Sequence, residues 1–154
     1  MKTERTENMT TNAITVYIRL PIGSVIRTHV DNTNPPKIKI FVIVGYYEED
    51  AITIFFNTEI NNIINYSEEL RSLHIPFSSS GRSFLTRDCF CDCSHLSLRN
   101  KDELHIAVNN QPEINIGNLS VEDLDIVMTT LKNSTKIKGA YKKRYGFYDY
   151  GIST

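Results

Sequence analysis

Cationic and aromatic side chains concentrate in one C-terminal stretch of the chain. Residues 132–144 carry six basic side chains and no acidic one, although the whole chain has a net charge of −1. The six are Lys132, Lys136, Lys138, Lys142, Lys143 and Arg144. The tyrosines that interleave with or follow them are Tyr141, Tyr145, Tyr148 and Tyr150. Because cations attract phosphates and aromatic rings stack on bases, this pattern favours a nucleic-acid surface, and a solvated helix end with a basic tail is the alternative.

A run of possible metal ligands, Cys89, Cys91, Cys93 and His95, shares one parity, so on a strand all four would point to one face. A zinc site needs sulfurs within about 4 Å of one another, whereas Cys89 and Cys93 on a strand lie roughly 13 Å apart. Such spacing also disfavours a disulfide between successive cysteines. No spacing singles out a histidine as the partner of a nucleophilic cysteine. The run therefore predicts small, buried hydrophobic side chains.

Length and composition predict one globular domain, with 154 residues of which 40% are hydrophobic and 23% charged. A sequence pI near 6.4 argues against a protein that coats DNA or lies on an anionic membrane. No apolar run approaches the roughly 18 residues that span a bilayer, and residues 1–12 show no secretory signal. Three cysteines, an odd number, fit a reducing compartment. We therefore expect a cytoplasmic protein without membrane contact.

Alternating and continuous β-branched runs predict strands through the first two thirds of the chain. Residues 14–18 alternate apolar and more polar side chains, the predicted second strand after Gly23 mixes them, and residues 31–36 have turn chemistry. Residues 37–47 form the strongest strand, apolar enough for burial on both faces, and residues 51–56 are its predicted hairpin partner. Residues 84–96 are predicted as a further strand, and residues 98–108 are ambiguous.

Two segments carry helix signals. Residues 66–73 have Ser67 as a candidate cap, and residues 121–133 follow Ser120 with acids in the first turn. The apolar stripe that is expected to pack the second helix on the sheet consists of Val121, Leu124, Met128 and Leu131. The predicted fold class is mainly β with helical additions, a small curled β-barrel with a C-terminal helix. The predicted boundaries are a disordered arm at 1–13, a barrel domain at 14–134 and a basic aromatic tail at 135–154.

Four local sequences in a fixed order carry a family resemblance. They are Gly-Ser-Val-Ile at 23–26, Lys-Ile-Phe-Val-Ile-Val at 39–44, Ile-Phe-Phe-Asn-Thr at 54–58, and the stretch 87–95 followed by Gly-Asn-Leu-Ser at 117–120 and the helix after it. Their order and spacing over roughly residues 20–133 resemble the PemK/MazF family of plasmid-maintenance toxins. This resemblance implies an SH3-like barrel and a ribosome-independent endoribonuclease that cuts single-stranded RNA.

The resemblance also implies a catalytic site. In that family an arginine at the start of the second motif and a threonine or serine at the end of the third act on the scissile phosphate. Lys39 stands at the arginine's position here, and Thr58 or Asn57 at the hydroxyl's. Arg27, on the preceding strand, is a candidate to supply a guanidinium if it faces the same surface. The RNA 2′-hydroxyl would attack the adjacent phosphorus, leaving a 2′,3′-cyclic phosphate and a 5′-hydroxyl, without a metal or other cofactor.

Partners follow from the same resemblance, which implies a homodimer and a cognate antitoxin that lays an acidic peptide across the RNA groove. Asp88, similar by position to an acidic residue of the family, is expected to fix a loop. Because lysine lacks the bidentate guanidinium fork, a non-catalytic barrel that binds RNA or a protein partner is the alternative. The residues expected to bind RNA are Lys37, Asn57, Lys136, Lys138, Tyr141, Lys142, Lys143 and Arg144.

Overall fold

The structure, a computed structural model, describes residues 19–30 and 37–151. The predicted arm, the predicted strand at 14–18 and the turn at 31–36 lie outside these residues. The strands are β1 Ser24–Val30, β2 Lys37–Tyr47, β3 Asp50–Asn57, β4 His74–Phe77, β5 Cys89–Asp92, β6 Ser97–Asn100 and β7 Asn115–Asn118. The α-helices are α1 Glu68–Arg71, α2 Lys101–Asn110, α3 Val121–Asn133 and α4 Gly139–Arg144, and 3₁₀ helices span Pro112–Ile114 and Phe147–Asp149.

The strands form one antiparallel sheet in the order β4-β5-β3-β2-β1-β7, and β6 pairs with the first half of β3. Strand β3 therefore has β2 along one side and two different strands along the other, with β6 at residues 50–53 and β5 at residues 56–57. The sheet curls into a half-barrel with helices added to it. This architecture confirms the predicted mainly β fold with helical additions.

The central hairpin follows from the apolar sequence of its strands. Strand β2 has the predicted bounds, and its residues 41–44 are completely buried, as expected of a run that is apolar on both faces. The predicted partner is β3, which pairs with β2 in antiparallel register from residue 50 to residue 56.

Alternation along β1 and β2 divides the core between the two faces of the sheet. Val25 pairs with Val42 on one face, within the larger core cluster, which α3 covers. Ile26 pairs with Phe41 on the other face, in a smaller cluster that includes Leu104 of α2. Each strand therefore contributes alternate side chains to the two core clusters. Two residues that follow one another in a strand lie on opposite faces of the sheet.

Helix α3 has the predicted bounds, and the Ser120 hydroxyl accepts a hydrogen bond from the Asp123 amide at 3.1 Å. Its apolar stripe differs from the prediction, because Val121 is 72% exposed whereas Val127 is fully buried. The first turn instead directs Asp123 inward, where Arg82 donates to both of its carboxylate oxygens at 2.8 Å. These hydrogen bonds lower the pKa of Asp123. The apolar contact thus begins one turn later than predicted, and its members are Leu124, Val127, Met128 and Leu131.

The prediction of a strand over residues 84–96 is wrong except for β5. The preceding loop is fixed by Asp88, whose Oδ1 accepts hydrogen bonds from the Ser79 amide at 2.8 Å and from its hydroxyl at 3.1 Å, which is the role expected of Asp88. After β5, the Asp92 carboxylate accepts a hydrogen bond from the Ser94 amide at 2.9 Å. Such a local side-chain turn competes with strand pairing and ends the strand. The ambiguous stretch 98–108 contains most of β6 and of α2.

The three cysteines are buried free thiols, as predicted for small hydrophobic side chains. Burial, followed by the charge of Asp88, raises the pKa of Cys89 to about 11. Burial also raises the pKa of Cys91 well above its ordinary value. Both thiols are therefore poor nucleophiles. His95 lies beyond the end of β5 and is exposed, so it does not share the buried face of the cysteines, contrary to the prediction.

The basic aromatic segment packs onto the sheet over its described part. Ile137 and Phe147 are buried in the larger core cluster. A Cβ on Gly45 of β2 would lie only 3.3 Å from the backbone oxygen of Tyr145, so a glycine permits this close approach of the two backbones. The segment between 135 and 151 is thus built into the same core as the barrel.

The remaining helix prediction is also confirmed, in a shorter form. Helix α1 is a single turn, and the Ser67 hydroxyl caps it by accepting a hydrogen bond from the Leu70 amide at 3.1 Å. Within residues 19–30 and 37–151, no helix has the length and apolar character needed to cross a bilayer.

Candidate functional site

Lys39 lies near the start of β2 and reaches across to the end of β3. Its Nζ donates a hydrogen bond to Asn57 Oδ1 at 2.8 Å and lies 5.5 Å from the centre of the Phe55 ring. Burial, followed by the charge of Lys37, lowers the pKa of Lys39 below its ordinary value of 10.5, and the charge of Asp92 opposes that shift. Because an ammonium has three donors, two of them are left for a ligand.

Lys39 lines an open groove of about 680 Å³ at this end of the sheet. The groove brings together five residues predicted from the sequence to act on or bind RNA. Strand β2 contributes two lysines, and the segment after α3 contributes a third. The end of β3 and the residue after it contribute an amide and a hydroxyl. They are Lys37, Lys39, Asn57, Thr58 and Lys136.

The same groove contains His74, Asn65 and Asp92, which the sequence analysis did not identify. His74 and Asp92 are register partners in the β4–β5 pair, and His74 Nδ1 lies 3.8 Å from Asp92 Oδ1. His74 Nε2 lies 3.0 Å from Asn65 Oδ1. The sequence held one signal that Asp92 lies on a different face from the cysteines. If Cys89 and Cys91 of a strand point into the core, residues 90 and 92 point to the opposite face. No comparable signal identified His74.

Arg27 does not share the face of Lys39. In the β1–β2 pair Arg27 stands opposite Ile40, whereas Lys39 stands opposite Thr28, so the two cations belong to alternate faces of the sheet. Arg27 lines an adjoining groove of about 420 Å³, together with Arg87. The two grooves meet at the strand ends, where both include Lys37, Lys39 and Thr58. The structure thus places Arg27 beside the Lys39 groove but not within it.

A third groove, of about 450 Å³, lies against the C-terminal segment and shares Ser94, His95 and Lys136 with the Lys39 groove. The Tyr141 and Tyr145 rings on its wall are stacked, with centres 6.0 Å apart and planes 6° apart. The third groove contains four residues predicted to bind RNA, which are Lys136, Lys138, Tyr141 and Arg144.

Arg144 lies between Tyr141 of the third groove and Tyr47 of β2. Its guanidinium lies 5.3 Å from the centre of the Tyr141 ring and 5.7 Å from that of Tyr47. Lys142 and Lys143, which were also predicted to bind RNA, lie on α4 outside the three grooves. Three of the six cations of residues 132–144 therefore line a groove, and the other three, Lys132, Lys142 and Lys143, do not.

Positive charge dominates the joined grooves. Two acidic side chains, Glu59 and Asp92, line them. The basic side chains that line them are Arg27, Lys37, Lys39, Arg87, Lys136, Lys138 and Arg144. A chain with a net charge of −1 therefore concentrates cations along one path over its described surface. A concave, cationic path attracts a polyanion and raises its local concentration.

Comparison of the chain with protein families, with characterised proteins and with solved structures gives no match. Among residues 19–30 and 37–151, no group of three or more His, Cys, Asp or Glu side chains is arranged to hold a metal ion. The site is therefore characterised by its own geometry, which combines a cationic path, a stacked aromatic pair and a hydrogen-bonded lysine.

Proposed function

We propose that the protein binds single-stranded RNA along the three joined grooves and cleaves it at Lys39, as a toxin endoribonuclease of the PemK/MazF type. The observation that carries this proposal is the charge of the path itself. Seven basic side chains and two acidic ones line it. Phosphate attraction supplies most of the affinity for a single strand, and exposed rings such as Tyr141 supply stacking on its bases.

The groove around Lys39 suits cleavage by the RNA's own 2′-hydroxyl. The ammonium of Lys39 neutralises charge that builds on the phosphoryl oxygens, and the Thr58 hydroxyl and Asn57 amide hold the phosphate. A lysine whose pKa is lowered by burial is also a better proton donor near neutral pH. Lys39 would give a proton to the departing 5′ oxygen, and Asp92, in the same groove, would accept the proton of the 2′-hydroxyl.

As a toxin, the protein is further proposed to form a homodimer and to be inhibited by a cognate antitoxin. An antitoxin with an acidic extended segment suits the joined grooves, because its carboxylates would occupy the positions of RNA phosphates. Such a partner would neutralise the cations of the path and block RNA at the same time.

Binding without cleavage is a second candidate, and one observation favours it. Lys39 stands where the family has an arginine, and its ammonium is already bonded to Asn57. Lysine binds phosphate as a point charge and does not offer two parallel donors. A protein that binds RNA or another partner in the grooves without cutting would retain the same charged path.

Cleavage of a long single-stranded RNA in excess EDTA tests the proposal. The purified protein is expected to give discrete products, and Lys39→Ala is expected to lower the rate about 100-fold or more, because both the charge and the proton donor are lost. Lys101→Ala, on α2 away from the grooves, is the matched control and should cut at the wild-type rate. Intact RNA that is nonetheless bound by the wild-type protein would contradict the cleavage proposal and support the second candidate.

A further inference from the structure

Asn65 determines which nitrogen of the His74 ring carries a proton. The Asn65 amide nitrogen donates a hydrogen bond to the backbone oxygen of Asn61 at 2.9 Å, which fixes the orientation of the amide. The amide oxygen therefore faces His74 Nε2, at 3.0 Å. Because that oxygen can only accept, Nε2 must be the donor. In a neutral ring the lone pair of His74 is then on Nδ1.

Nδ1 of His74 faces a carboxylate. The nitrogen is buried and has no hydrogen-bond partner among the described residues, and Asp92 Oδ1 lies 3.8 Å from it, which is an ion-pair distance. A lone pair and a carboxylate oxygen are both acceptors, so this arrangement is favourable only when a proton lies between them. A proton on Nδ1 would make this contact an ion pair, at a distance too long for a hydrogen bond.

The two residues differ in their access to the groove. The side chain of His74 is 5% exposed and that of Asp92 is 18% exposed, so the carboxylate is the more accessible of the two. Asp92 Oδ1 is anchored further by the Ser94 amide at 2.9 Å and by the Ser94 hydroxyl. The other charged or titratable side chains that line the groove are Lys37, Lys39, Glu59, His95 and Lys136.

We propose that His74 is a positioning residue, which pairs with Asp92 through its buried Nδ1 and keeps the carboxylate directed at the RNA 2′-hydroxyl. This inference rests on the proposed ribonuclease function. In the reaction, Asp92 takes the proton of the 2′-hydroxyl while the O2′–P bond forms and the P–O5′ bond breaks. The departing 5′ oxygen takes a proton from Lys39, and water returns the proton on Asp92 to Lys39. His74 itself does not touch the RNA.

Cleavage rates measured from pH 5 to pH 9 for the wild-type protein, His74→Phe and His74→Gln test this role. The phenylalanine keeps the volume of the ring and removes its donors, so kcat should fall by about 10- to 100-fold with little change in KM, as for other supporting residues of a site. His74→Gln, which can still donate through its amide, should recover part of the rate. His29→Phe, on β1 outside the Lys39 groove, is the matched control.

The outcomes separate the two proposals. A wild-type protein that leaves RNA intact overturns the ribonuclease function and the role of His74 with it. A wild-type protein that cuts, beside a His74→Phe variant with the same kcat, overturns the role of His74 alone. If His74→Phe does not fold, the ¹⁵N chemical shift of His74 Nδ1, measured in the wild-type protein and in Asp92→Asn, tests the role of His74 instead. It should move toward the unprotonated value in Asp92→Asn, and an unchanged shift overturns the inference.

Discussion

At the scale of single residues, the surroundings of Lys39 matter more than its type. Three groups act on its ammonium, the Asn57 amide by a hydrogen bond and the charges of Lys37 and Asp92 from a greater distance. Burial lowers its pKa more than the charge of Lys37 does, and the charge of Asp92 raises it. The result is a lysine that keeps its charge near neutral pH and loses its proton more readily than an exposed lysine.

This environment predicts how cleavage depends on pH. Because the pKa of Lys39 is lowered from 10.5, the ammonium loses its proton earlier as the pH rises, and the cleavage rate should fall on the alkaline side. Lys39→Arg should lower the maximal rate, because a guanidinium does not give up its proton, but the remaining activity should extend to higher pH, because the charge is kept throughout the range. Rates of both proteins from pH 7 to pH 10, corrected for RNA without protein, measure the difference. An alkaline limb at the same pH in both proteins would show that Lys39 is not the group that titrates.

At the scale of elements, α3 shows how a small change in helix phase alters a core. The predicted and observed stripes share three residues, but the structure exchanges exposed Val121 for buried Val127. The inward position in the first turn belongs to Asp123, which is held by Arg82. One ion pair thus takes the place of an apolar contact at the start of the helix.

The two valines give a matched pair of variants for the position of this helix. Val127→Ala removes two buried methyl groups, and the free energy of unfolding should fall by about 1–3 kcal/mol. Val121→Ala removes exposed surface and should change that free energy by less than about 0.5 kcal/mol. Urea unfolding followed by circular dichroism measures both. Equal losses in the two variants would contradict the observed packing, and a larger loss for Val121→Ala would mean that α3 packs with the predicted face.

The sequence predicted the elements whose signals are local, and it missed the contacts that depend on distant pairing. The continuous apolar run of β2 and the capped, periodic α3 could be predicted with their observed bounds. Residues 84–96 could not, because the local turn in which Asp92 accepts hydrogen bonds from the Ser94 amide and hydroxyl outweighs the alternation. His74 reaches Asp92 only through the register of β4 and β5, and neither strand has a pattern that specifies that register.

At the scale of the whole molecule, the described part of the C-terminal segment extends the charged path. Its buried Ile137 and Phe147 fix the segment on the core, while Lys136, Lys138 and Arg144 line grooves. The cations of this segment are therefore held in position relative to Lys39. RNA that passes Lys39 is expected to continue along α4.

This continuity predicts the salt dependence of RNA binding. For single strands, log K falls with log salt by about 0.7 per phosphate contact, so the double variant Lys138→Ala/Arg144→Ala should lower the slope by about 1.4. Lys142→Ala/Lys143→Ala removes two charges from the same helix region outside the grooves and should change the slope less. Fluorescence anisotropy with a labelled RNA between about 50 and 300 mM salt measures the slope for each protein. Equal slopes for the two double variants would contradict a path through the third groove.

The central claim is cleavage by the RNA's own 2′-hydroxyl at the Lys39 groove, and a single-atom change in the substrate tests it most directly. Once a cut site is mapped, two synthetic RNAs are compared in excess EDTA, one unmodified and one with a 2′-deoxyribose immediately before the scissile phosphate. We predict that the first gives a 2′,3′-cyclic phosphate and a 5′-hydroxyl by mass spectrometry, and that the second is bound equally well and stays intact. Cleavage of the deoxy-substituted RNA at that phosphate, or products with a 5′-phosphate, would contradict the account.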